Sequence, residues 1–232
     1  MILDLCHKIK RKWIKLRLQP IRVYCLHHVC ATFDAESMNA CDWMQIDDFK
    51  NKILSMRQSS VEFISLIDAY QHICNDWIRS KKYAVITLDD GYASIIEILP
   101  WLEELQIPAT LFINGKYLDG KSYRENPNEK YLTKEELFAL TSPLIEIGSH
   151  GWEHTSALDM TDMEFEKLVE SDLKLLSVHP RYIPFHAYTW GKYKNANDIF
   201  LNERHIVPVL IDGETNYNDS LFIHRELIIH HT

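Results

Sequence analysis

Tyr83-Ala84-Val85-Ile86-Thr87-Leu88, followed at once by Asp89-Asp90-Gly91, is the stretch on which the fold turns. A continuous apolar run this short suits a strand covered on both faces, as in a parallel sheet. The acidic pair and the glycine end it abruptly. Asp-Gly is a common turn signal. Adjacent carboxylates also repel each other unless a cation or a proton separates them, so one can bind a metal while the other acts as a base. On this feature alone the turn is the simpler reading, and both stay open.

The pattern continues on either side. Upstream, Ile21-Arg22-Val23-Tyr24-Cys25-Leu26 reads as a strand. Residues 46–56 read as a helix with apolar Phe49, Ile53 and Met56 and a cap from Asp47 or Asp48. A short strand at 61–66 and a helix at 68–78 follow. Downstream, 94–105 has helical spacing and 109–113 is a strand. Thr133-Lys134-Glu135-Glu136 opens a helix as a capping box. A strand at 144–147 ends at Gly148-Ser149-His150, a helix spans 162–177, and strand-like pieces follow at 182–188, 207–211 and 221–229. Alternating strands and helices imply a parallel sheet, open or closed into a barrel. Such folds build their sites at the carboxyl ends of strands. Three polar clusters follow three such strands: Asp89-Asp90, His150 with His154, and 188–191.

Bulk properties exclude several classes. The 232 residues, 46% hydrophobic, can bury one sizeable core. We expect a basic segment at 1–20 and a single domain at 21–232. The net charge of −8 gives the body no global attraction for nucleic acid. No segment approaches the roughly 18 consecutive apolar residues that span a bilayer. Lys8, Lys10, Arg11, Lys12, Lys15 and Arg17 interrupt the start before a signal-peptide apolar region can form, so a cytoplasmic location is expected. The odd set Cys6, Cys25, Cys30, Cys41 and Cys74 fits reduced thiols there. Residues 1–18 read as a solvated helix or frayed end; alternatively Ile9, Trp13, Leu16 and Leu18 with the cations lie on an anionic membrane surface.

His150-Gly151-Trp152-Glu153-His154 places two imidazoles four residues apart, where they can face one metal ion. Twelve histidines in this length produce about 0.6 such pairs by chance, so the spacing alone is weak. Gly151 stands where a His-Glu-x-x-His protease motif needs Glu. With Asp90 the two histidines offer one carboxylate and two imidazoles. That set suits Zn2+ first, with Fe2+, Co2+, Ni2+ or Mn2+ also compatible.

Together these motifs resemble the polysaccharide deacetylases of carbohydrate esterase family 4. The family's Thr-Phe-Asp-Asp-Gly is similar to Thr87-Leu88-Asp89-Asp90-Gly91, and its His-containing second motif to Ser149-His150-Gly151-Trp152-Glu153-His154. Ile107-Pro108-Ala109-Thr110-Leu111-Phe112 resembles the family's Pro-Ala-Thr-x-Phe strand, and Leu26-His27-His28-Val29 its first strand. Phe185-His186-Ala187-Tyr188-Thr189-Trp190-Gly191 resembles the Phe-Ala-Tyr-Pro-Tyr-Gly form of the third motif. The likeness runs over 23–228. It implies a distorted (β/α) barrel with about seven parallel strands and a metal-dependent hydrolase that removes an N-acetyl or other acyl group from a sugar. It implies Asp90, His150 and His154 as metal ligands and Asp89 as the base that takes a proton from the attacking water. Tyr188, Trp190 and Gly191 would contact substrate or oxyanion, with a backbone N–H near Trp190 as donor. A sugar-binding member without activity and an amidase on a non-sugar substrate remain the alternatives.

The sequence departs from the family in three places. Ala187 stands where many members carry the Arg that orients the catalytic Asp. Phe222-Ile223-His224-Arg225 resembles a C-terminal Arg segment, so Arg225 is expected to substitute, a surface Arg being the alternative. Thr189 and Trp190 replace Pro and Tyr. No Leu-x-His provides the usual general acid. His27, His186 and His224 are candidates, and His27, at the end of the first strand, comes first. His230-His231 is expected to be unstructured.

Overall fold

A computed structural model describes residues 18–32, 43–76, 78–121, 130–217 and 222–228. The basic segment up to Arg17, Cys6, Cys41, Leu221, Ile229 and His230-His231 lie outside them.

In chain order the elements are β1 (Ile21–Leu26), β2 (His28–Cys30), β3 (Trp43–Gln45), α1 (Ile46–Gln58), β4 (Val61–Phe63), α2 (Leu66–Asn75) and β5 (Lys82–Leu88). Then come α3 (Leu99–Glu104), β6 (Ala109–Ile113), α4 (Lys134–Ala139), β7 (Ile145–Ser149), α5 (Asp162–Leu176), β8 (Tyr182–Ala187), α6 (Asn195–Glu203), β9 (Val207–Val209) and β10 (Glu226–Leu227). The main sheet runs β10-β1-β5-β6-β7-β8-β9, and β4 pairs beside the start of β5. Every pairing in it is parallel. It curls into the expected distorted (β/α) barrel. Leu210 N donates to Ile223 O and Ile223 N to Pro208 O, while Ile228 N donates to Cys25 O. The segment 223–228 is therefore bonded to β9 on one side and β1 on the other.

The period-two alternation of each strand sorts its side chains. Val23, Val85, Phe112, Phe185, Ala187, Val209 and Ile223 share one core with Leu66, Ala69 and Ile73 of α2. Leu26, Ile86, Leu88, Leu111 and Ile147 take the other face, against Phe49 and Ile53 of α1, Leu102 of α3 and Leu137 of α4. Space on the first face is tight: a Cβ on Gly148 would sit 2.6 Å from the Phe112 ring. Glu146 also points inward, where it accepts from Leu66 N at 2.8 Å, Ile67 N at 3.3 Å and Thr110 Oγ1 at 2.7 Å, and so caps α2.

Several local expectations need correction. Neither Asp47 nor Asp48 caps α1: Gln45 stands at its N-cap, without a side-chain bond, and the two acids lie in the first turn. There they favour the positive end of the helix dipole. α2 begins earlier than expected because Ser65 Oγ accepts from Asp68 N. The stretch 94–105 is split into a 3-10 turn, Ala93–Glu97, and α3. Pro100 suits the break: it has no N–H to bond back into the preceding turn and sits in the first turn of α3, where none is needed. The β2–β3 pair and α6 were not expected, and the last strand shrinks to two residues. Among the described residues no helix is long and apolar enough to cross a membrane.

Candidate active site and metal centre

β5 runs straight into the turn that carries both acids. Asp90 has φ 70° and Gly91 φ 79°. Two consecutive left-handed residues reverse the chain at once; Asp tolerates this conformation better than most, and glycine adopts it freely. The turn and the ligand readings of Asp89-Asp90 are thus compatible. Both carboxylates are buried.

The loop after β7 brings in the histidines. His150 Nε2 stands 3.3 Å and His154 Nε2 3.2 Å from Asp90 Oδ1. His150 Nδ1 lies 2.7 Å from Ala187 O. A carbonyl only accepts, so Nδ1 carries the proton and Nε2 presents its lone pair, the arrangement typical of a ligating histidine. Buried Asp90 Oδ1 accepts no hydrogen bond among the described residues, despite the two imidazoles beside it. Donor atoms on a tetrahedral zinc ion, at about 2.0–2.1 Å from it, stand about 3.3 Å apart. The three residues therefore fit a single divalent ion in donor type, spacing and the orphaned oxygen.

Asp89 lies beside them, its Oδ2 3.8 Å from His150 Nε2, and takes its hydrogen bonds from the opposite side. Arg225 Nη1 donates to its Oδ1 at 2.6 Å and Nη2 to its Oδ2 at 2.8 Å. Arg225 is 0% exposed, so the surface alternative for this residue is excluded. It also donates from Nη1 to Thr87 Oγ1 and from Nε to Leu210 O. Burial pushes the Asp89 carboxyl up, but the guanidinium and the His150 ring more than offset this and hold it below its ordinary value. Burial likewise opposes ionisation of Asp90, and His150 and His154 hold it far down.

Among the three general-acid candidates, one lies beside the acidic pair. A ring nitrogen of His27, the Cys25 thiol and an Asp89 oxygen lie within 4.8 Å of one another, and buried His27 Nδ1 accepts or donates no hydrogen bond among the described residues. His186 is instead held 2.9 Å from Ser149 Oγ, and burial lowers it to about 3. His224 is paired at 2.6 Å with Asp212.

The third motif is divided. Trp190 is 62% exposed, has φ 61°, and its ring lies 4.9 Å from that of His154. Tyr188 is buried, and its hydroxyl donates to Asp198 at 2.8 Å. It packs on Phe165 and Tyr193. The Gly191 N–H is committed to Tyr188 O at 2.9 Å, so it is not an oxyanion donor. The Tyr188 hydroxyl is thus spent on α6 and the Gly191 N–H on the turn itself.

Two residues not singled out from the sequence also belong here. Asn114 Nδ2 donates to His150 O at 2.8 Å and Gly151 O at 3.0 Å. Asp172 reaches the same loop from α5.

Known proteins give an independent comparison. A family model described as polysaccharide deacetylase matches residues 78–198. No curated protein matches the sequence. IcaB from Ammonifex degensii superposes with a TM-score of 0.76 at 19% identity, over 90% of this chain and 92% of that one. The Streptococcus pyogenes deacetylase PplD, solved in complex with acetate, gives 0.76 at 18%, over 91% and 92%. A de-N-acetylase from Aggregatibacter actinomycetemcomitans gives 0.71 at 16%, over 91% and 95%. These likenesses establish a shared fold along nearly the whole chain. With a model match over more than half its length, and the family's acidic and histidine motifs brought together at one end of the barrel, the chain belongs to the polysaccharide deacetylase family.

Proposed function

We propose that the protein is a metal-dependent deacetylase that hydrolyses the N-acetyl group of a sugar. The observation that carries this reading is the pairing of two unlike carboxylates: Asp90 turned to two imidazoles, Asp89 turned to a guanidinium. Asp90, His150 and His154 would hold a divalent ion, Zn2+ first among the candidates. When bound, such an ion supplies Lewis-acid polarisation of an acyl oxygen and acidifies water.

The remaining work falls to the chain. Asp89, kept ionised and aimed by Arg225, takes a proton from the water that adds to the acetamide carbonyl. The Trp190 backbone N–H stabilises the oxyanion that develops. As the C–N bond breaks, His27 in its protonated form gives its proton to the departing amine, and acetate is left. The exposed Trp190 ring offers a face on which a pyranose stacks.

The test is acetate release from a panel of N-acetyl sugars: chito-oligosaccharides, a nucleotide-linked and a lipid-linked N-acetylhexosamine. Metal content is measured in parallel. Turnover lost in Asp89→Asn with metal retained supports the proposal. Sugar binding without acetate release across the panel would identify a binding protein instead, and turnover confined to non-sugar amides would identify an amidase.

A further inference from the structure

Asp172 has no role in the chemistry above, yet it is fully buried directly behind the histidine loop. Its Oδ1 accepts from Gly115 N, in the turn after β6, at 2.8 Å. The same carboxyl lies near the Ser149 hydroxyl and the Gly151 N–H, in the loop after β7, without a hydrogen bond to either. Ser149 Oγ in turn accepts from Gly151 N at 3.2 Å and lies 2.9 Å from His186 Nδ1. Asp172 Oδ2 accepts no hydrogen bond among the described residues. A Cβ on Gly115 would sit 2.5 Å from Asp172 Oδ1 and 2.8 Å from Trp152, so both groups close on that backbone.

A buried carboxyl with an unmatched oxygen lowers stability, and a hydrophobic residue would suit the core better. Such an exception beside a reactive centre points to function rather than fold. Ser149 and Gly151 flank the ligand His150 in sequence on both sides. The loop is held elsewhere by the sheet itself, through Ala187 O on the ring and Asn114 on the carbonyls. Asp172 is the hold that comes from a helix.

We propose that Asp172 is a positioning residue for the metal centre: it holds the Gly115 turn against Trp152 and backs Ser149 and Gly151, so that His150 and His154 converge on Asp90. The proposal rests on the reading of those three residues as the ligand set. Removing an outer-shell partner typically costs about 10–100-fold in metal affinity.

The test is zinc affinity of the full chain, by competition with a chromophoric chelator, with a melting curve of each metal-free protein. Asp172→Ala is expected to bind zinc at least about tenfold more weakly than wild type. Asp172→Asn keeps an acceptor for Gly115 and offers an N–H toward Ser149 Oγ, and is expected to stay within about threefold. Should Asp172→Ala melt below the assay temperature, Ser149→Ala carries the test, with an expected loss of about fivefold. An Ala variant as tight as wild type overturns the proposal, as does an Asn variant as weak as the Ala variant. A wild-type protein that takes up neither zinc nor cobalt overturns the ligand set itself, and the proposal with it.

Discussion

Arg225 and Asp89 form a two-pronged ion pair, 2.6 and 2.8 Å, across 136 positions of sequence and out of reach of solvent. The planar fork fixes both the charge and the direction of the carboxylate, which a lysine cannot do. Arg225→Ala should therefore lower kcat by about 100-fold or more with KM little changed. Burial then acts on Asp89 without the guanidinium, so the acid limb of the pH–rate profile should move to higher pH. Arg225→Lys should fall between. Leaving Asp89 buried and unpaired should also cost about 3–5 kcal/mol of stability, so rates need measuring well below the melting point. Unchanged turnover and pH profile in the Ala variant would remove Arg225 from the mechanism.

Trp190 should behave differently. Its ring is mostly exposed and contacts His154 only at an edge. Trp190→Ala should leave the melting temperature nearly unchanged and raise KM for an oligosaccharide by about five- to tenfold, the value of roughly 1 kcal/mol of aromatic contact. A loss confined to stability would instead make the ring a packing element.

Asp172 predicts a pH signature in the metal-free protein. Burial raises its carboxyl to about 7. An unfolded Asp titrates near about 3.9, so between these values the native state holds a proton that the unfolded state has lost. The contribution to stability is complete below about pH 4 and lost as pH rises through about 7. Relative to Asp172→Asn, the wild type should lose on the order of a few kcal/mol between pH 5 and pH 8. Urea unfolding with chelator present checks it; parallel slopes in the two proteins would mean Asp172 is already ionised at pH 5.

Glu146 lies far from this chemistry and should affect stability alone. Three donors, two of them at the start of α2, rely on its carboxylate. Glu146→Ala should cost about 2–4 kcal/mol, since buried donors lose their acceptor. Chemical denaturation reads the loss directly, while kcat/KM at low temperature should stay within about twofold. A large drop in turnover without a stability change would contradict the assignment.

Much of this was legible locally. The apolar run ending at Asp89-Asp90 marks β5 and its turn, because strand burial and the acidic stop lie in adjacent residues. His150 and His154 are visible through their spacing, and Thr133 through its capping box. The partners of Tyr188 and Gly191 are not legible, because a motif does not say which of its polar groups the fold itself consumes. Asp172 left a signal that went unused: Phe165, Val169, Asp172 and Leu176 form the buried stripe of α5, and only one of the four is charged. The β2–β3 pair had no such signal, since two three-residue strands depend on each other rather than on any local pattern.

The stretch 223–228 is a keystone. It slots between β9 and β1, strands far from each other in sequence. Such distant pairings are entropically slow to form. Until that piece docks, Asp89 lacks its guanidinium partner, so completing the barrel and pairing the buried acid are one event. A chain stopped short of Ile223 would be an unfinished shell with a buried acid left unmatched at its heart.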